Sequence, residues 1–464
     1  MGRKRGKLGL FMLIVMVLCL AACGKDSTDT TGNNASQVSE EAKEGEVTPE
    51  GEATQEDTTK GETVQEEAKQ EDVTQAKEEA ETTEAPTEPD SIVVPEFTIE
   101  AKEYEMNDAL QLVQDMQVGW NLGNTLDANS DTNSSNELSY ETSWCGAKTT
   151  QEMITAIHDA GFQTIRIPVS WHNHVSGDDF TISDVWLNRV QEIVDYAYNI
   201  GMYVILNIHH DTMEGYYYPS EACYDTSAHF IECIWNQLSE RFADYDEHLI
   251  FEGINEPRLK GTNYEWWLDI NNDQCKEALD CINRLNQLFV DTVRAKGGVN
   301  ATRYLMVPGY CASSDNALLD QFVVPTDIST NENRIIVSVH AYTPYNFALQ
   351  APTEGQSTSV FSITNKVGTG DIDSFMERLY QKFIRNGIPV VIGEFGARDK
   401  DGNLQARTEY TAYYVAAARA RGICCMWWDN NAYTGSGENF GLFNRKTLTF
   451  EYPDIVSALV TYSK

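Results

Sequence analysis

Positive charge is scarce in this chain: 34 Lys and Arg stand against 71 Asp and Glu in 464 residues, a formal net charge of −37. A nucleic-acid binder needs a positive surface to neutralise phosphates, and a polybasic clamp needs one to hold anionic lipid, so both classes are excluded. Long apolar runs are lacking too. The run from Leu8 to Leu20 covers about 13 residues, too short to cross a ~30 Å hydrocarbon core as a helix. No C-x-x-C pair occurs, which argues against a structural zinc site. No G-x-G-x-x-G follows the first predicted strand, which argues against a dinucleotide-binding open sheet. Residues 24–96 contain no Phe, Tyr or Trp, although the whole chain has 17, 22 and 9 of them. The aromatic residues are therefore concentrated downstream, in an aromatic-rich core or cleft.

What is present divides the chain in three. Residues 1–22 carry Arg3, Lys4, Arg5 and Lys7, then the short apolar run, then small residues, the pattern of an export signal. Leu20-Ala21-Ala22-Cys23 resembles the lipobox of bacterial lipoproteins. The resemblance implies cleavage before Cys23 and a diacylglyceryl group on its sulfur, a membrane anchor at the outer cell surface. Residues 23–98 are rich in Thr, Glu, Gln, Ala and Gly, with 23 acidic and 5 basic side chains between 24 and 100. Such a stretch cannot bury enough apolar surface to offset its ordering entropy, and about 75 coil residues would span about 50 Å. A disordered stalk is expected there, ahead of one catalytic domain over 99–464.

Within that domain short β-branched runs alternate with amphipathic segments. Strands are predicted at 117–124, 162–170, 202–210, 249–257, 304–310, 334–342, 389–397 and 423–430. Helical patterns lie at 149–160, 184–199, 227–245, 277–296, 371–386 and 404–421. The strands are apolar on both faces, as parallel strands covered on both sides should be. Repetition of this unit predicts an α/β fold, a (β/α)8 TIM barrel. Eight cysteines fall here, Cys145, Cys223, Cys233, Cys275, Cys281, Cys311, Cys424 and Cys425. An exported chain permits them to pair, but Cys424 and Cys425 are expected as packed thiols.

Polar residues gather at the C-terminal ends of the strands, the face where a barrel carries its active site. They are Asn121 and Asn124, Arg166, His209 and His210, Asn255 and Glu256, His340 and Tyr342, Glu394, and Trp427 with Trp428. In a barrel of roughly 7.5 Å radius, strands three places apart face each other about 14 Å apart across the mouth. Glu256 and Glu394 would then bring their carboxyl groups within roughly 5–7 Å, the range that flanks one glycosidic bond. That estimate gives glycoside hydrolysis without its stereochemistry. Arg166 and Tyr342 suit the holding of a charged carboxylate, and Asn255 suits a sugar 2-hydroxyl.

GWNLGNTLDA, TIRIPVSW, VILNIHHD, FEGINEPR, VSVHAYTPYNFAL, VVIGEFGA and MWWDNN…GLFNR, in this order, resemble glycoside hydrolase family 5 and its subfamily of broad β-1,4-endoglucanases. The match covers about residues 107–464. It implies a retaining double displacement with Glu256 as acid/base and Glu394 as nucleophile. Arg166, His209, Asn255, His340 and Tyr342 carry over as surrounding active-site residues, and His210 as a sugar contact. Asn121 is counted with this substrate-binding set. Trp428 is taken as the floor of the sugar site because a polar residue follows it, which leaves Trp427 in the core. The turn after the last strand, DNNAYTG, departs from the usual Asp-Asn-Gly of relatives.

Trp144, Trp171, Tyr217, Tyr218, Trp266, Trp267 and Tyr345 are candidate sugar platforms, each with local packing as the alternative. The expected enzyme is a monomer, acts on β-glucan polysaccharide and uses no cofactor or metal. Xyloglucan, mixed-linkage glucan, xylan and mannan remain open as substrates, and no separate cellulose-binding module is visible. Two other classes fit parts of the pattern. A metallohydrolase could draw ligands from His209, His210, Asp211 and His340, but it leaves both glutamates idle. A carbohydrate-capturing lipoprotein would use the aromatic cleft and the anchor, but two carboxylates would be superfluous.

Overall fold

The computed structural model of the chain describes residues 92–327, 334–435 and 437–464. The signal segment, Cys23 and the acidic linker as far as residue 91 lie outside the described residues. Eight parallel strands close into a barrel. They are β1 (Val118–Leu122), β2 (Thr164–Ile167), β3 (Tyr203–Asn207), β4 (Leu249–Glu252), β5 (Leu305–Ser313), β6 (Ile335–His340), β7 (Val390–Phe395) and β8 (Cys424–Asp429). Each pairs with its neighbours in the chain, and β8 closes on β1 with Trp428 opposite Asn121. Nearly every strand position is buried, because helices cover the outside and side chains fill the inside. The strand positions therefore read as continuous apolar runs.

Helices α1 (Asp108–Asp115), α2 (Gln151–Asp159), α3 (Asp184–Tyr198), α4 (Tyr224–Arg241), α5 (Asp273–Ala295), α6 (Thr369–Lys382), α7 (Leu404–Arg419) and α8 (Pro453–Tyr462) complete the frame. The local signals are visible at their ends. Asn107, Thr150 and Asn272 accept backbone N–H groups at the starts of α1, α2 and α5, satisfying donors that the first turn leaves unpaired. Between β5 and β6 the described residues hold only the short helix Ser314–Ala317. No helix among the described residues is long and apolar enough to cross a membrane.

The barrel interior is built in two layers. Below, Ile205, Ile250, Met306, Ile336, Val391, Cys424 and Met426 form an apolar plug, sealed by Ala109, Leu112 and Val113 of α1. Above it the inward residues turn polar: Asn121, Arg166, Asn207, Glu252 and Ser338 are all fully buried. Upstream, Phe97 stacks on Tyr462 at 5.2 Å, so the chain packs on the domain before residue 99. The eight cysteines among the described residues are unpaired thiols, Cys424 and Cys425 among the buried ones.

One irregularity decides the chemistry. Ile392 of β7 pairs with Val339 of β6 and with Cys425 of β8. The next partners are His340 with Glu394 and Trp427 with Phe395, so β7 carries one residue more than either neighbour. Alternation from Val391 alone would send Glu394 outward; the bulge turns it into the barrel mouth. Gly393 sits at this bulge. A β-carbon there would lie 3.3 Å from His340 Nε2 and 3.4 Å from Ser338 Oγ, a fit tighter than ordinary packing.

Candidate active site

The mouth of the barrel is organised around Arg166 on β2. Its Nη1 donates to Glu394 Oε1 at 2.8 Å and to Asn121 Oδ1 at 3.0 Å, and its Nη2 donates to Asn255 Oδ1 at 2.6 Å. Its Nε donates to Glu252 Oε2 at 2.8 Å. Burial opposes the guanidinium charge, but Glu252 and Glu394 outweigh it and hold the group above the ordinary arginine value. Tyr342 gives its hydroxyl to Glu394 Oε2 at 3.1 Å. Glu394 therefore has a fixed donor on each oxygen, which aims the carboxylate, while Arg166 opposes the rise that burial imposes on it.

Glu256 lies beyond the end of β4, which stops at Glu252, so it rides on the following loop and does not end the strand as the sequence suggested. His340 Nδ1 stands 2.7 Å from Glu256 Oε1 and 3.7 Å from Glu394 Oε2. One oxygen of each glutamate and a His340 nitrogen all lie within 4.8 Å of one another. Burial pushes Glu256 up, but His340 and Arg258 draw it down to about 2. Burial raises Glu394 against the pull of His340 and Arg166. His340 is itself disfavoured as a cation by burial, yet the two carboxylates raise it. His340 Nδ1 is thus shared between the two glutamates and favours charge on Glu256.

The opposite wall carries His209 and His210, just past β3. Asn207 accepts from Val169 N through Oδ1, so its Nδ2 is the group facing His209 Nδ1 at 3.1 Å. His209 therefore accepts at Nδ1 and carries its proton on Nε2. Burial lowers both histidines, His210 to about 4. Trp428 lies parallel to the His209 ring, centroids 5.8 Å apart, with its indole against Gly123. Trp427 points the other way, into the core, and donates to Phe440 O.

Asn121, grouped from sequence with the sugar contacts, is sealed beneath Arg166. Its Nδ2 donates to the carbonyls of Gly393 and Trp427, so it holds the arginine and the bulge. Two expected platforms are core residues instead. Trp171 is fully buried with its Nε1 bonded to Asn207 O, and Tyr217 is fully buried against Thr212. Trp144, Trp266 and Trp267 are 44%, 50% and 66% exposed, and Tyr345 is also exposed. Tyr218 is partly buried and bonded to Lys260 O. Trp266 lies over the Arg258 guanidinium at 4.2 Å, on the side of Glu256. Trp144 lies beside His210 on the side of Trp428.

The metal-ligand set considered from sequence is not brought together. His209 and His210 converge with Asp127, His340 converges with the two glutamates, and Asp211 is spent on Trp171 N and His172. Sequence reasoning missed Glu252, Asn207, Arg258 and Asp127. Glu252 could have been found: it is inward by alternation from Ile250 and precedes Glu256 within FEGINEP.

A parallel barrel that opposes two glutamates across its C-terminal mouth, with sugar-sized aromatic surfaces on either side, is the working face of a glycoside hydrolase acting on O-glycosyl bonds. Comparison with known proteins gives the family. Residues 127–434 match Cellulase (glycosyl hydrolase family 5), and the chain belongs to that family. It is 42% identical over 355 residues to Endoglucanase B of Neocallimastix patriciarum, covering 75% of this chain and 71% of that protein. A GH5 family lichenase from Caldicellulosiruptor sp. F32 is 59% identical with a TM-score of 0.80, over 81% of this chain and all (100%) of that one. A GH5-4 broad specificity endoglucanase from Ruminococcus champanellensis, solved with cellotriose, is 42% identical with a TM-score of 0.70, over 78% and 100% of the two chains.

Proposed function

We propose that the protein is a retaining endo-β-1,4-glucanase that cuts internal bonds of cellulose-type β-glucans, with Glu394 as nucleophile and Glu256 as acid/base. The observation that carries this is the separation of the two glutamates. An oxygen of each lies within 4.8 Å of the other, the short spacing at which a carboxylate can bond directly to the sugar. In the first step a Glu394 oxygen attacks the anomeric carbon while Glu256 gives its proton to the leaving glycosidic oxygen. In the second, Glu256 takes a proton from water, the water oxygen bonds to that carbon, and the Glu394 ester breaks. Arg166 and Tyr342 hold the nucleophile in line. Asn255, whose Oδ1 is committed to Arg166, keeps its amide nitrogen for a sugar hydroxyl.

The names of the relatives support an open cleft that takes more than one glucan, soluble mixed-linkage chains included. Xyloglucanase, xylanase or mannanase action is the alternative. The pattern Leu20-Ala21-Ala22-Cys23 supports export and a lipid anchor at Cys23 on the outer cell surface, where the enzyme would act as a monomer. The test is a hydrolysis panel over carboxymethylcellulose, mixed-linkage β-glucan, xyloglucan, xylan and mannan, with product sizing and the anomer followed by NMR. Internal cleavage of the β-glucans with β products first is expected, and Glu394→Gln should abolish it in a folded protein. Initial α products, or release from xylan or mannan alone, would overturn the assignment.

A further inference from the structure

Glu252 takes no part in the displacement just described, yet it is a carboxylate sealed inside the barrel. A buried charge is costly unless paired and fully hydrogen-bonded, and this one is. Oε2 accepts from Arg166 Nε at 2.8 Å and from Asn207 Nδ2 at 2.9 Å, and Oε1 accepts from Ser338 Oγ at 2.6 Å. Its partners come from β2, β3 and β6, while it stands on β4, so four strands meet at one side chain. Arg166 then has its Nε edge committed, and only its Nη atoms remain for Glu394, Asn255 and Asn121. Asn207 is held from both ends, by Val169 N and by Glu252, and so presents Nδ2 to His209.

We propose that Glu252 is a positioning residue for the reaction: it anchors Arg166 by the edge away from the nucleophile, takes up part of its charge, and through Asn207 sets which nitrogen of His209 carries the proton. The charge division has a direct consequence. Arg166 sits between two carboxylates, and a nucleophile bound to an undivided guanidinium is a more stable anion and a poorer attacker. The groups facing Glu394 are Arg166 from β2, His340 and Tyr342 from β6 and its end, Glu256 from the loop after β4 and Glu438 from the loop after β8. Glu252→Gln deletes none of these groups; it removes only the charge behind Arg166.

The inference rests on Glu394 being the nucleophile, and the test separates the two. Glu252→Gln keeps the shape: its oxygen can face Arg166 and Asn207, and its amide can donate to Ser338 Oγ. The readouts are kcat against pH and a carboxyl ¹³C NMR titration of Glu394, assigned against Glu394→Gln. Expected are a kcat lower by roughly 10- to 100-fold with KM little changed, and a Glu394 titration and acid limb displaced by about one unit to lower pH. A merely structural role would lower activity and leave both titrations where they are, and that result overturns the proposal. Should Glu252→Gln not fold, Glu252→Asp keeps the charge but withdraws it from Nε, and the same shift is expected at smaller size; an unmoved titration there also overturns it. If the wild type released no sugar from any glucan, the functional reading would fall and this one with it; if it cut β-glucan while Glu394 stayed unmoved in Glu252→Gln, only the role of Glu252 would fall.

Discussion

His340 stands closer to Glu256 than to Glu394, 2.7 Å against 3.7 Å from the same nitrogen. A single N–H thus lies between the proposed acid and the proposed nucleophile and favours charge on Glu256, the state in which it has no proton to give. His340→Ala removes a donor that stabilises ionised Glu256, so that carboxyl must rise from about 2. The alkaline limb of kcat/KM, which reports loss of the acid's proton, should move to higher pH. Turnover should fall by roughly 10- to 100-fold, the scale of one hydrogen bond to a charged group. A pH profile of aryl β-cellobioside hydrolysis checks the direction, and an unmoved limb would count against it.

Tyr342→Phe deletes the 3.1 Å donor to Glu394 Oε2 and leaves the ring against Phe440. A loss of roughly 10- to 100-fold in kcat is expected with little change in melting temperature. The comparison of kcat with thermal denaturation decides whether the hydroxyl acts on the reaction or on the fold.

The two adjacent tryptophans of β8 should separate function from stability. Trp427→Ala opens a core cavity beside Phe395 and should cost about 3–5 kcal/mol. Trp428→Ala, at the mouth, should raise KM and lower kcat on cello-oligosaccharides with a smaller loss of stability. Urea denaturation paired with steady-state kinetics on both variants tests this, and the reverse pattern would exchange their positions.

Arg445, in the small hairpin that follows β8, donates to Gly123 O and Thr125 Oγ1 after β1 and to Asp429 O at the end of β8. It closes the seam where the first and last strands meet, next to Trp428. Arg445→Ala leaves buried Asp429 with a lost partner at 3.3 Å and should destabilise by roughly 3–5 kcal/mol. KM should rise with it as the Trp428 floor loosens. A melting temperature within a degree of the wild type would refute the staple.

His174 stacks on Trp186 at 3.6 Å, and burial lowers it from 6.5 to about 4 despite Glu137. The unfolded chain binds its proton first, so stability is complete above about 6.5 and falls as the pH drops towards 4. The full drop is on the order of 3 kcal/mol. His174→Phe, which keeps the stack, should flatten the melting curve across that window. An equally steep curve in the variant would place the acid sensitivity elsewhere.

Much of the architecture was legible because the barrel enforces it. Strands covered on both sides must be apolar throughout, and polar residues are tolerated at their C-terminal ends where the mouth opens, so Arg166, His340 and Glu394 stood out. The loops were read less well. Trp171 and Tyr217 follow strands on the active face just as Trp144 does, but they fold inward onto Asn207 O and Thr212. Nothing in a loop's composition says which aromatic finds a buried acceptor. Asn121 was visible as polar, but its part in holding Arg166 depends on the Gly393 carbonyl across the barrel.

The amino-acid order by itself determined that eight covered strands carry two glutamates to one end, because burial on both faces leaves a pattern no solvent-exposed strand would have. The tertiary structure alone decided by what local geometry the glutamates meet. An extra residue in β7, seen only against the register of β6 and β8, rotates Glu394 inward. Glu252, deep in the same barrel, divides the charge of the arginine that receives it. Both depend on contacts between distant parts of the chain, and alternation along a single strand does not contain them.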